Sequence, residues 1–143
     1  HHLEDKSALF SDIYRVLKPG GQFVLSDVAE GSPPALFLDG FVDQYNSTGH
    51  DGRYLGQHTL DALNIAGWAI TSYDMQHFTW NFSDRDALGD FACLLFDICK
   101  STPLATAQAI EQNLGIEETS DGQIGMNWSL MTILCTKPAH SPT

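Results

Sequence analysis

The sequence predicts an α/β fold, and three observations carry that reading. Residues 5–17 hold apolar side chains at helical spacing and then break at Pro19-Gly20-Gly21. A short apolar run, Phe23-Val24-Leu25, follows at once. Further along, two stretches rich in aromatic and β-branched residues, Trp68–Phe82 and Met126–Thr136, alternate with helical stripes. Helical crossovers between strands favour a parallel sheet. The order of elements does not by itself place the last strand.

In the first helix, Leu9, Phe10, Ile13 and Leu17 make one apolar face, with Asp5 as the cap and Leu3 as a staple before it. Phe23-Val24-Leu25 suits a strand covered on both faces. Glu30-Gly31-Ser32 is a loop, and Pro33 or Pro34 opens the next helix. Ala35, Leu36, Leu38, Phe41, Val42 and Tyr45 form its broad apolar face. Residues 46–56 are a polar, Gly-rich loop. Thr59–Ala66 reads as a helix ended by Gly67. Ser83-Asp84-Arg85-Asp86 opens a helix with a capping hydroxyl and acidic residues at the positive end of its dipole. Leu88, Phe91, Ala92, Leu95 and Cys99 continue its stripe. Thr102-Pro103 starts another, with Leu104, Ala107, Ile110 and Leu114 along one face. Residues 115–122 form an acidic turn.

Composition narrows the function. The 143 residues, 43% hydrophobic and 17% charged, suit one globular domain. Seven basic and 18 acidic residues give a net charge of −11, which speaks against nucleic acid and against anionic membranes as partners. No apolar run reaches membrane-spanning length, and no signal-peptide pattern is present. Three cysteines without C-x-x-C spacing point to buried free thiols, a cytoplasmic location and no metal site. A first residue that is His and not Met suggests a fragment or a processed product.

The string HHLEDKSALFSDIYRVLKPGGQFVLSDV, residues 1–28, resembles the middle of a class I S-adenosylmethionine (SAM)-dependent methyltransferase, where it joins the fourth strand to the fifth. LDALNIAGW, residues 60–68, is similar to the segment leading into that family's sixth strand. SLMTILCTKP, residues 129–138, is similar to its closing strand. The resemblance implies the C-terminal part of a Rossmann-like methyltransferase fold, with a sheet of about three strands: the fifth, the sixth, and an antiparallel seventh inserted between them. Residues 1–143 would be one partial domain, with 83–114 as a helical lid insertion. It further implies a small-molecule substrate.

The family holds SAM through a Gly-rich loop after its first strand and an acidic residue after its second. No G-x-G-x-x-G occurs here, so SAM belongs to the parent enzyme and its binding by these residues alone is not expected. His1 and His2 match the family's His position near the reactive end of the cofactor, and are the candidate catalytic base. A frayed terminus or a tag remnant is the plainer reading of the pair. Asp27 ends the fifth strand, where ligands sit in open α/β sheets, or else it caps the following turn. His50, Arg53, Tyr54 and His58 could bind a substrate carboxylate or amine, with Arg53 as an anion clamp. His77, Trp80 and Trp128 read as sheet or core residues, and Glu117 and Glu118 as surface charge. A partner is expected at the free edge of Phe23–Val28, either a second copy or a separate N-terminal half. The alternative to an enzyme is a non-catalytic, homodimeric or small-ligand-binding module of the same descent.

Overall fold

The computed structural model describes residues 1–139. Eleven elements are present. Helix α1 (Ser7–Val16) leads to strand β1 (Gln22–Asp27). A short helix α2 (Pro33–Phe37) continues through a π-helical turn (Leu38–Val42) into α3 (Asp43–Tyr45). Then come α4 (Gln57–Ile65), β2 (Ala69–Phe82), α5 (Arg85–Leu95), α6 (Pro103–Asn113), β3 (Ile116–Glu118) and β4 (Ile124–Thr136).

The four strands form one sheet in the order β1-β4-β2, and the short β3 also pairs with β4. β4 runs antiparallel to β1, with Phe23 opposite Cys135 and Asp27 opposite Met131. The last strand therefore lies between the two earlier ones, as the methyltransferase resemblance implies. The parallel pairing expected from helical crossovers does not occur between β1 and β2, because β4 separates them. β3 makes a fourth strand where the sequence suggested only a turn: Ile116 lies opposite Met126 and Glu118 opposite Ile124.

The chain divides into two compact units. The first contains His1–Glu30, Arg53–Gln76 and, among the described residues, 130–139. Its core joins Phe10, Leu55, Leu60, Leu63, Trp68, Ile133 and Cys135, all buried. Phe23 rests against Phe10 and Trp68, with ring centroids 6.2 and 5.3 Å away. Burying such side chains contributes roughly 1.5–3 kcal/mol each. Trp68 also satisfies its one donor, since Nε1 donates to the Phe10 carbonyl at 3.1 Å. β1 is covered on one face only: Val24 is 57% exposed, because β1 ends the sheet order and its alternate residues turn outward. Leu9 is likewise outside the buried stripe of α1. Asp5 acts just ahead of that helix, where Oδ1 accepts the Ser7 amide at 2.8 Å, which holds the Asp5 carboxyl below its usual range. At the far end of α1, Gly20 takes a left-handed φ of 80° in the turn, and Lys137 Nζ donates to the Tyr14 and Leu17 carbonyls at 2.6 and 2.8 Å.

The second unit contains Gly31–Gly52 and His77–Ser129. Ser32 caps α2 and Thr102 caps α6, each through its hydroxyl. Asp84, and not Ser83, caps α5: its Oδ1 accepts the Ala87 amide at 2.8 Å. α5 and α6 meet at Gly89, where an added Cβ would lie 2.4 Å from the Pro103 carbonyl oxygen. Arg85 clamps the same pair through two contacts to Glu111 of 2.5 and 2.7 Å. Trp80 and Trp128 lie 5.6 Å apart with their rings tilted by 52°, and join Phe91 and Phe96 in an aromatic cluster. Leu36, Leu95 and Leu104 are exposed, contrary to the apolar faces drawn for their helices. The three thiols are free, but only Cys135 is buried: Cys93 is intermediate and Cys99 exposed, since the residues after α5 turn outward.

Candidate functional site

In the first unit, β1 delivers Asp27 to its carboxyl end, and the turn behind it meets the segment 53–55. Leu55 N donates to the Val28 carbonyl at 2.9 Å, and Glu30 N to the Leu55 carbonyl at 2.8 Å. This short parallel bridge between Ala29 and Leu55 fixes Arg53 and Tyr54 beside Asp27. Arg53 N in turn donates to the His1 carbonyl at 2.8 Å, and Lys6 Nζ donates to the Arg53 carbonyl at 2.8 Å.

Asp27 gathers the donors. His1 Nδ1 is 2.9 Å from Oδ1, the His1 main-chain nitrogen is 2.6 Å from Oδ2, and Val28 N donates to Oδ1 at 2.7 Å. Asp27 thus faces the His1 ring and also accepts the amide of the residue that follows it. The His1 ring lies 4.3 Å from His2 and 5.7 Å from Tyr54. Of the residues singled out in the sequence, the first unit therefore brings His1, His2, Asp27, Arg53 and Tyr54 together. An Nδ1–H donated to Asp27 leaves Nε2 of His1 as the proton-accepting nitrogen.

His58 stands apart, at the start of α4. Its Nδ1 is 3.3 Å from Glu30 Oε1, and both side chains are more than half exposed. His50 belongs to the second unit. Its Nδ1 is 2.9 Å from Asp39 Oδ1, and its amide donates to Asp43 Oδ1 at 2.7 Å. Asp39 also accepts the Gly52 amide at 3.0 Å, so two acidic residues of the π-helical stretch and α3 order this loop. Neither aspartate was singled out in the sequence. Each lies at the start of a short helical segment whose length the sequence does not announce.

No family model matches the chain, and no curated protein does. Solved structures do. A Bacillus halodurans protein provisionally assigned as a methyltransferase matches 96% of this chain with a TM-score of 0.61 at 20% identity. The YcgJ protein of Bacillus subtilis matches 96% of it with a TM-score of 0.53 at 18% identity. The fold is methyltransferase-like. Within that methyltransferase-like fold, the chain spans 65% and 60% of the two structures' lengths.

The residues here do not by themselves make a SAM cradle. Such a cradle needs glycines between a strand and a helix, so that backbone N–H groups approach the cofactor. The turn after β1 holds only Gly31, ahead of a five-residue helix. The junction from β2 to α5 holds Ser83 and Asp84 and no glycine, and Asp84 already occupies the helix start. Gly20-Gly21 precedes a strand. No helix among the described residues is long and apolar enough to cross a membrane.

Proposed function

We propose that these residues form the C-terminal part of a SAM-dependent methyltransferase acting on a small molecule in the cytoplasm. The observation that carries this reading is the placement of β4 between β1 and β2, antiparallel to β1. SAM is the cofactor of the whole enzyme and supplies the electrophilic methyl group. The cofactor loop would come from a segment outside these residues, so residues 1–143 alone are inactive. His1, oriented by Asp27, serves as the base that takes the acceptor's proton, with His2 beside it. Arg53, Tyr54 and His58 contact the acceptor in the first unit, and His50 is a separate candidate for binding it in the second. α5 and α6 act as the lid. Positioning the acceptor against the methyl group supplies much of the rate.

A second reading is favoured by one feature: β1 has a single sheet neighbour among the described residues, and Val24 on it is largely exposed. An open edge of this kind invites pairing. On this reading the chain is a non-catalytic module, or a small-ligand binder, that dimerises through β1.

Calorimetric titration of residues 1–143 with SAM, with light scattering on the same sample, separates these. No SAM binding by the chain alone, gained when a methyltransferase N-terminal segment is supplied, supports the first reading. A stable dimer that gains nothing from that segment supports the second. SAM binding by the chain alone overturns the account of the missing cradle.

A further inference from the structure

The second unit contains a cavity of about 430 Å³ that the proposed chemistry does not use. Strand alternation builds its floor. Alternation puts His77 and Thr79 on one face of β2, and Asn127 and Ser129 on one face of β4, and all four line the cavity. Phe78 and Trp128 line it as well, and the Trp128 ring lies 5.6 Å from that of Trp80. Glu117 of β3 stands at the side, and the roof is apolar, made by Pro33, Pro34 and Leu114.

The polar floor lacks partners. His77, Glu117, Asn127 and Ser129 make no side-chain hydrogen bond or ion pair among the described residues. For His77 and Glu117, which are exposed, water is a sufficient partner. Ser129 differs, since it is only 4% exposed. Every fully enclosed polar side-chain atom among the described residues has a partner. The Ser129 hydroxyl, which has none, therefore opens into the cavity. Solvent reaches it there, and a bound polar group would take the place of that water.

We propose that this cavity is a binding site for a small protonated amine carrying an apolar body of arylalkylamine size. The volume falls in the range of small-molecule sites, which combine apolar walls with a few convergent polar groups. The roof takes the apolar body. Glu117 takes the ammonium, and the Ser129 hydroxyl and the Asn127 amide oxygen accept its remaining hydrogens. The carboxylate at the rim and a net charge of −11 favour a cation over an anion. The site stands on these residues alone and holds whether or not the chain serves methyl transfer.

The test uses residues 1–143 with three probes of matched size: 2-phenylethylamine, 2-phenylethanol and 3-phenylpropanoate. Binding is read from NMR shifts of the His77 ring and the Ser129 amide. The amine should bind tightest and the carboxylate weakest. Glu117→Gln, at an exposed position that leaves folding intact, should weaken the amine about tenfold and leave the alcohol unchanged. Ser129→Ala should weaken both amine and alcohol. Failure of the amine to bind, or equal affinity for amine and carboxylate, overturns the proposal. So does an amine affinity indifferent to Glu117→Gln. A SAM titration on the same sample reports separately on methyl transfer, so the two readings fail independently.

Discussion

His1 Nδ1 lies 2.9 Å from Asp27 Oδ1, and 26 residues separate the two in sequence. That contact orients the imidazole. Asp27→Asn keeps the shape but turns one acceptor into a donor. Urea denaturation should register a loss of about 1–3 kcal/mol. In an enzyme completed with its cofactor segment, His1→Ala should slow methyl transfer by about 10²–10⁴, the usual contribution of a general base. A rate unchanged by His1→Ala would remove His1 from the chemistry.

Trp68 fills the first unit's core and also donates to the Phe10 carbonyl. Trp68→Phe keeps most of the apolar area and removes one of two donors to the Phe10 carbonyl, which still accepts the Tyr14 amide within α1, so the cost should be about 0.5–1.5 kcal/mol. Trp68→Ala adds a cavity and should cost about 3–5 kcal/mol. Chemical denaturation of both variants measures the difference between them, which isolates the packing contribution.

Gly89 is where α5 and α6 come closest. Gly89→Ala would gain helix propensity, yet its Cβ would meet the Pro103 carbonyl at 2.4 Å. The backbone cannot yield as a side chain could, so the clash should win by about 1–3 kcal/mol. A melting temperature that rises in Gly89→Ala would show that the two helices separate easily.

The Arg85 guanidinium holds the Glu111 carboxyl below its usual range. A depressed folded-state value means that the bridge contributes above the unfolded glutamate value and is lost as pH falls through the folded one. Its contribution should therefore fade as pH falls from the ordinary glutamate value through the lower folded one. Both groups are exposed, so the effect is small and screened by salt. Comparing wild type with Glu111→Gln in acid titrations at low and high salt checks this, and the two curves should converge at low pH.

Burial pushes the Cys135 thiol up, whereas Cys99 is exposed. A thiol reagent at pH 8 should modify Cys99 first and Cys93 more slowly. Cys135 should react only when the first unit opens. Mass spectrometry of partly modified protein gives the order directly.

Much of this architecture was legible locally. Gly67 ends α4 with a φ of 97°, and Thr102-Pro103 opens α6, both as their residue types dictate. The position of β4 was not legible from periodicity, because its partner β1 lies about a hundred residues away and both strands show similar apolar patterns. Only the resemblance placed it. β3 escaped because three residues, two of them glutamate, make no period. The exposure of Val24, Leu36 and Leu104 escaped because apolar spacing marks a possible inner face without saying what covers it. In the site, residue types marked His1, Asp27, Arg53 and Tyr54, but their meeting depends on the bridge between Ala29 and Leu55. The floor of the second unit's cavity was hidden for the opposite reason. His77 and Ser129 each look like ordinary strand residues until the folded β2 and β4 bring both to the cavity wall.

The pairing of β1 with β4 also has a consequence in time. On the ribosome, residues 22–27 emerge long before residues 131–136, their hydrogen-bonding partners. Until then α1 also lacks Lys137 at its end, and Phe10 and Phe23 have no Ile133 or Cys135 to rest on. The first unit cannot close during most of its own synthesis, and its rate of formation is governed by a long-range search. Truncation a few residues before Met131 should therefore leave the early helix and strand sticky and unprotected, although every residue they contain is present.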